Sequence, residues 1–274
     1  MKKLNGRQKV IFSVSVCIAV LVLICIGGIL CEDAAEVTDF ARKNTAPCGA
    51  YLFGTDWLGR DMFARTLRGM SLSILIGVLS AAVSACMALF LGTVAAVFGR
   101  KADRIVTFLI DLVMGIPHIL FLILISAVLG RGLAGVVTGV ALTHWTSLAR
   151  LIRAEVLKLR ESPYIQIAEK LGKSRWYIAR KHMLPHLLPQ FMVGMILLFP
   201  HAILHEASIT FLGFGLSSDQ PAIGNILSEA MKYLVTGQWW LALFPGLLMA
   251  AVIMLFYRAG EDMKKLTDPG SAHR

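Results

Sequence analysis

The stretch SLSILIGVLSAAVSACMALFLGTVAAVF, residues 71–98, decides the class of this protein: 28 residues pass without one charged side chain. A helix needs roughly 20 apolar residues to cross about 30 Å of hydrocarbon, and this run exceeds that length. Five more runs flank it. Residues 10–30 are also uncharged. Residues 104–130, which begin with Arg104, are otherwise apolar apart from Asp111 and His118, and residues 132–149 hold His144. Residues 187–204 are interrupted by Pro189, Pro200 and His201, and residues 239–257 are again uncharged. The fourth run is short enough to suit a buried core helix as well as a span. The composition agrees: 57% of residues are hydrophobic and only 16% charged, with a mean hydropathy of +0.70, where a soluble domain carries charge at about 25%. A membrane β-barrel would show alternating segments of roughly 10 residues instead. The reading is an all-α membrane protein with six transmembrane helices.

Basic residues near span ends give the orientation. Lys2, Lys3, Arg7 and Lys9 precede the first span, and Arg100, Lys101 and Arg104 lie between the second and third. Residues 150–186 hold Lys and Arg in excess of Glu, and Arg258, Lys264, Lys265 and Arg274 follow the last span. With six spans all four groups fall on one side, so both termini are expected in the cytoplasm. The loop 31–69, with balanced charge, is expected outside. The first span resembles a signal peptide in its basic start, but its apolar stretch exceeds the usual 7–15 residues; it reads as a retained anchor. The net charge of +10 then reflects this bias and attraction to anionic lipid, not nucleic-acid binding. Cys17, Cys25 and Cys86 read as packing residues, while Cys31 and Cys48 share one loop and have the option of pairing. The chain divides into 1–70, a span with its external loop, and 71–269, the main transmembrane domain.

The most specific pattern lies at about 150–186. Ser162 suits an N-cap and Pro163 a first helical turn. Residues 164–171 are helix-compatible, with Ile165, Ala168 and Leu171 on one side. Gly172 breaks or caps that helix, and residues 175–183 form a second one ended by Leu184 and Pro185. At intact spacing, Gln166, Ile167, Ala168, Gly172, His182, Leu184 and Pro185 resemble the cytoplasmic motif of bacterial ABC importer permeases: Glu-Ala-Ala, three residues, Gly, nine residues, Ile, one residue, Leu-Pro. Gln166, Ile167 and His182 replace the usual Glu, Ala and Ile.

Three more stretches extend the resemblance to the dipeptide, oligopeptide and nickel branch of these permeases, specifically to its second permease. They are Gly54-Thr55-Asp56-Trp57-Leu58-Gly59-Arg60-Asp61, then Ser208-Ile209-Thr210-Phe211-Leu212-Gly213-Phe214-Gly215, then Trp240-Leu241-Ala242-Leu243-Phe244-Pro245-Gly246, with Asp268-Pro269 in the tail. The resemblance implies a type I ABC importer permease fold in a bacterial or archaeal cytoplasmic membrane. It implies no catalysis and no cofactor on this chain, with ATP and Mg on a partner ATPase. The implied partners are a second homologous permease, two ABC ATPase subunits and an extracytoplasmic solute-binding protein. Tyr164, Gln166, Ala168, Gly172, Lys173, Ser174, Leu184 and Pro185 are the residues expected to couple to the ATPase. The implied cargo is a di- or oligopeptide, or alternatively nickel or a metal chelate.

Other signals are weighed beside this. Gly172-Lys173-Ser174 is not a phosphate-binding loop, because the Gly required five residues earlier is Ile167. Asp111 is read as pairing locally, near Arg104. His118 follows Pro117, where a freed carbonyl is available to it, or it lines a pathway. His201 and His205, at i and i+4, share a helix face and suit nickel, zinc or copper in transit, or a structural interface; Glu206 lies about 100° away and need not join them. No firm metal site follows. Asp56, Gly59, Arg60 and Asp61 read as a tight external turn or a docking surface. Residues 221–234 read as an amphipathic helix with Asn225, Glu229 and Lys232 on its exposed face. A proton-coupled secondary transporter would want more mid-span carboxylates and an inverted repeat, and an intramembrane metalloprotease would need a second His after His205-Glu206.

Overall fold

The computed structural model describes residues 6–267 of the chain, and these are almost entirely helical. In order they form α1 (Gly6–Leu30), α2 (Glu32–Glu36), α3 (Met62–Val97), α4 (Arg100–Gly115), α5 (His118–Leu129), α6 (Leu133–Arg160), α7 (Pro163–Lys170), α8 (Arg175–Ile178), α9 (Leu184–Phe211), α10 (Ile223–Leu234) and α11 (Trp240–Thr267). Four helical stretches are long and apolar enough to cross a membrane: Gln8–Leu30, Met62–Val97, Arg175–Phe211 and Trp240–Lys265. A fifth is the pair α4 and α5, if the two count as one broken span. Helices predominate because hydrocarbon offers the backbone no partners, so each segment must satisfy its own N–H and C=O groups.

α3 is the pillar. Its 36 residues extend over about 54 Å, beyond the hydrocarbon thickness at one or both ends. A stripe of small buried residues, including Ser84, Ala85, Ala88 and Gly92, lets α6 lie against it. A side chain at Gly92 would meet the Ala149 carbonyl at 2.8 Å, and one at Gly77 would meet Ile203 of α9 at 2.6 Å. The Ser84 hydroxyl donates to the Ala141 carbonyl at 3.2 Å. Close backbone approach through small residues is how helices associate where lipid removes the hydrophobic drive. α6 itself, packed in this centre, is too rich in charge over its second half to register as an apolar span.

Two expectations change. The stretch 104–130 is not one straight span: α4 and α5 meet at 97°. Pro117 forces Ile116 into extended backbone (φ −95°, ψ 134°), and the helix restarts on the far side. The run 175–183 is not ended by Leu184 and Pro185 either. It passes through a π-turn over Ala179–Met183, in which the Leu184 N–H reaches back five residues to Ala179, and continues into α9. Widening the turn gives Pro185, which has no N–H, a place in the first turn of the next helix.

Candidate functional site

The break in α4–α5 borders a cavity of about 600 Å³ between α4, α5, α6 and α9. Its walls include Met114, Pro117, Ser147 and Leu198, together with His118, His144, His201 and His205. Three of these imidazoles come from three different helices. His118 opens α5, His144 sits on α6 and His205 on α9. Their ring centroids stand 4.6, 4.3 and 4.8 Å apart, packed edge to face. One ring nitrogen from each lies within 4.8 Å of the other two.

Backbone carbonyls fix the orientation of two rings. His144 Nδ1 lies 2.9 Å from the Val140 carbonyl, and His205 Nδ1 lies 2.8 Å from the His201 carbonyl. A carbonyl only accepts, so both Nδ1 atoms carry hydrogen and both Nε2 atoms keep their lone pairs. His144 Nε2 stands 3.2 Å from His205 Nδ1 and can share its hydrogen. His118 Nε2 is buried and has no hydrogen-bond partner.

Of the residues expected along a pathway, His118 and His205 come together here. The His201 ring is exposed and contributes its carbonyl to the His205 ring. Glu206 points elsewhere, fully buried, and accepts from the Thr210 hydroxyl at 3.0 Å. His144 was not marked as a site residue, because a single His inside an apolar run carries no spacing signal. Asp111 pairs with Arg150 of α6 at 2.8 Å rather than with Arg104.

At the N-terminal end of α3, Asp56, Gly59, Arg60 and Asp61 form one tight turn. Asp56 Oδ1 accepts from the Leu58 and Arg60 N–H groups. Asp61 caps α3 by accepting from Phe63 N–H at 2.8 Å. Gly59 has φ +76°, and the Asp39 carbonyl would lie 1.8 Å from an added Cβ, so only Gly fits. Asp56 Oδ2 holds Arg60 at 2.7 Å and Arg65 at 2.6 Å, and Arg65 reaches on to Glu229 of α10 at 3.1 Å. Two expectations for α10 are therefore corrected. Glu229 is turned inward to this cluster, and Asn225 is buried, donating to the Ser217 and Gln220 carbonyls. Met231 and Leu234 are exposed. Cys31 and Cys48 are free.

At the other end, α7 is closed by a Schellman motif. Lys173 N–H reaches Ala168 O at 3.1 Å and Gly172 N–H reaches Glu169 O at 3.0 Å, with Gly172 at φ +77°. Ser174 then caps α8, its hydroxyl accepting from Tyr177 N–H. Gln166 donates to the Glu161 carbonyl at 3.1 Å. Ile165 and Ala168 are buried, whereas Leu171, expected beside them, is 73% exposed with Tyr164, Ile167 and Trp176. Lys173 lies over the Tyr177 ring. Leu184 and Pro185 sit just past the π-turn. Arg153 bonded to Asp103 and Arg160 donating to the Ala96 carbonyl hold the C-terminal half of α6 against α4 and α3.

Residues 88–261 match the family described as the inner membrane component of binding-protein-dependent transport systems. The chain belongs to this family. Its match to the dipeptide transport system permease protein DppC of Bacillus subtilis is 27% identical, spanning 98% of this chain and 84% of that one. The glutathione transport system permease protein GsiD of Pectobacterium atrosepticum is 33% identical over 86% of this chain and 78% of the relative. Among solved structures, the MetNI methionine ABC transporter in an inward-facing conformation aligns with a TM-score of 0.60, at 18% identity, covering 76% of this chain and 98% of that one. That likeness concerns the fold. As an inner-membrane component of this family, the chain is a multi-pass ABC permease with several apolar helices.

Proposed function

We propose that this chain is the membrane-spanning subunit of an ATP-driven importer for di- and oligopeptides. Six spans, with α6 as the fourth, put both termini in the cytoplasm and α7 on the cytoplasmic face. The cargo follows the relatives named for dipeptides and glutathione. Passage would occur along the cavity side of α5, α6 and α9, facing a second homologous permease, with cargo delivered by an extracytoplasmic solute-binding protein.

The observation that carries the subunit role is α7. Tyr164 and Ile167 on α7 and Leu171 at its C-cap are exposed apolar groups on a short helix closed by Gly172, and Trp176 of α8 is exposed just beyond it. An apolar face presented on a stiff short helix suits a cleft on another chain, here one of two ATPase subunits with bound ATP and Mg. Thrust on α7 passes through the Arg153–Asp103 pair and the π-turn to α4 and α9, whose facing residues border the cavity.

The test is uptake in proteoliposomes containing the whole complex. A dipeptide should enter only with ATP, and Ile167→Asp should abolish uptake by weakening ATPase capture while the permease pair still assembles. Uptake that needs a proton gradient and no ATP would favour a secondary transporter and overturn the proposal. A second cargo reading, nickel or a metal chelate, is favoured by one observation, the three imidazoles in the cavity.

A further inference from the structure

We propose that His118, His144 and His205 form a coordination site for a borderline divalent cation of the nickel, cobalt, copper and zinc class, and that the ion arrives already held by a small anionic chelator. Three facts converge. The rings come from three helices, yet one nitrogen of each lies within 4.8 Å of the others. The Nδ1 atoms of His144 and His205 are engaged by backbone carbonyls at 2.9 and 2.8 Å, the arrangement that fixes tautomer and ring direction in metal-bound histidines. His118 Nε2 is buried without a partner. An unpaired polar atom there costs free energy unless something it can bond occupies the cavity.

The ligand chemistry narrows the ion. Neutral imidazole suits nickel, copper and zinc, while magnesium and calcium take oxygen ligands. Metal–nitrogen bonds of about 2.1 Å place neighbouring ligands of a six-coordinate ion about 3.0 Å apart, so the rings, now within 4.8 Å, must draw in by roughly one to two ångströms. His118, the first residue of α5 beyond the Pro117 break, is positioned to do so.

Charge narrows the cargo. No carboxylate lines the cavity among the described residues, and Glu206, the neighbour of His205, is turned away and bonded to Thr210. A bare divalent ion would therefore bring its whole charge into a site of neutral ligands. A chelator with carboxylates neutralises that charge, and a cavity of about 600 Å³ has room for one, since ligand pockets commonly measure about 300–1,000 Å³. Because the three nitrogens stand wider apart than a bound ion requires, part of the binding free energy is spent drawing them together, and the site releases its ion more readily than a preformed cage, as a transit site must.

The inference rests on the second cargo reading, a metal chelate, and its first test needs no transport. The untagged chain, purified with its partner subunits, is stripped of metal and titrated with Ni²⁺ alone and with Ni²⁺–iminodiacetate, a tridentate dicarboxylate chelate that leaves three positions for the three imidazoles. Saturable binding of one equivalent per chain is expected, tighter for the chelate. His118→Ala and His205→Ala should each weaken it about tenfold or more, while His182→Ala with His186→Ala, a surface pair elsewhere, should leave it unchanged. Co²⁺ alone should give visible absorption that His118→Ala removes. Binding that is absent, or that survives both His118→Ala and His205→Ala, overturns the site. His118→Ala faces an open cavity, so folding is retained and the outcome is readable. ATP-driven dipeptide uptake with no Ni²⁺ binding would sink this inference and leave the importer reading standing; Ni²⁺ binding without ATP-driven uptake would do the reverse.

Discussion

Two clusters of ionisable side chains in this permease were assembled by opposite rules. At the N-terminal end of α3, Asp56 and Glu229 meet Arg60 and Arg65, and every charge faces an opposite one. In the cavity, His118, His144 and His205 meet each other, backbone carbonyls and the Thr143 hydroxyl but no opposite charge, and one buried ring nitrogen is left over. Complementary charges neutralise one another and close a joint. Like groups cannot, so they leave bonding capacity for a guest. The first cluster ties the turn 54–61 and α3 to α10; the second ties nothing that the helix packing does not already hold.

If this contrast is correct, stability and binding should separate. The largest effect is expected from Arg65→Ala, which leaves Asp56, 3% exposed at its side chain, without its closest partner. Loss of about 3–5 kcal/mol is the scale for breaking a buried pair, read from unfolding in mixed micelles. Glu229→Gln keeps the size, removes one charge at a partly exposed position, and should cost about 1.5 kcal/mol. His144→Ala forfeits one hydrogen bond to Val140 and opens only onto an existing cavity, so about 1 kcal/mol is expected. His118→Ala should change unfolding free energy by less than about 0.5 kcal/mol. A His118 effect as large as that of Arg65 would show that the imidazoles are a structural joint and erase the distinction.

Much of this was legible in advance, for reasons that differ by region. The uncharged runs at 10–30, 71–98 and 239–257 became α1, α3 and α11, because apolar length and backbone self-satisfaction leave a membrane segment one conformation. Gly172 as the end of α7 was legible because the left-handed residue of a helix cap favours Gly. The turn 54–61 was legible as a tight structure, but Arg65 was not, since nothing local distinguishes it from Arg68. The 97° bend was not read in advance: 104–130 stood as one span, Pro117 was weighed only for the carbonyl it frees, and the direction came from what α5 packs against. Asp111 took Arg150 rather than Arg104 because α6 passes beside α4. His201 and His205 were marked by their i, i+4 spacing. Spacing relates residues on one helix and says nothing of His118 and His144, 26 residues apart in sequence on two others.

The sequence by itself determined that the chain is a helical membrane protein, where most apolar spans run, and the helix–Gly–helix pattern before α9. These follow from transfer free energies and local backbone preferences, which act over one or two turns. Only the tertiary structure decided that Arg65 meets Glu229 across 164 positions, that α4 and α5 turn a corner of 97°, and that three solitary histidines share one cavity. Those outcomes depend on the depth and rotation at which whole helices pack. Small residues such as Gly77 and Gly92 set that depth and rotation, by allowing α3 to approach its neighbours closely.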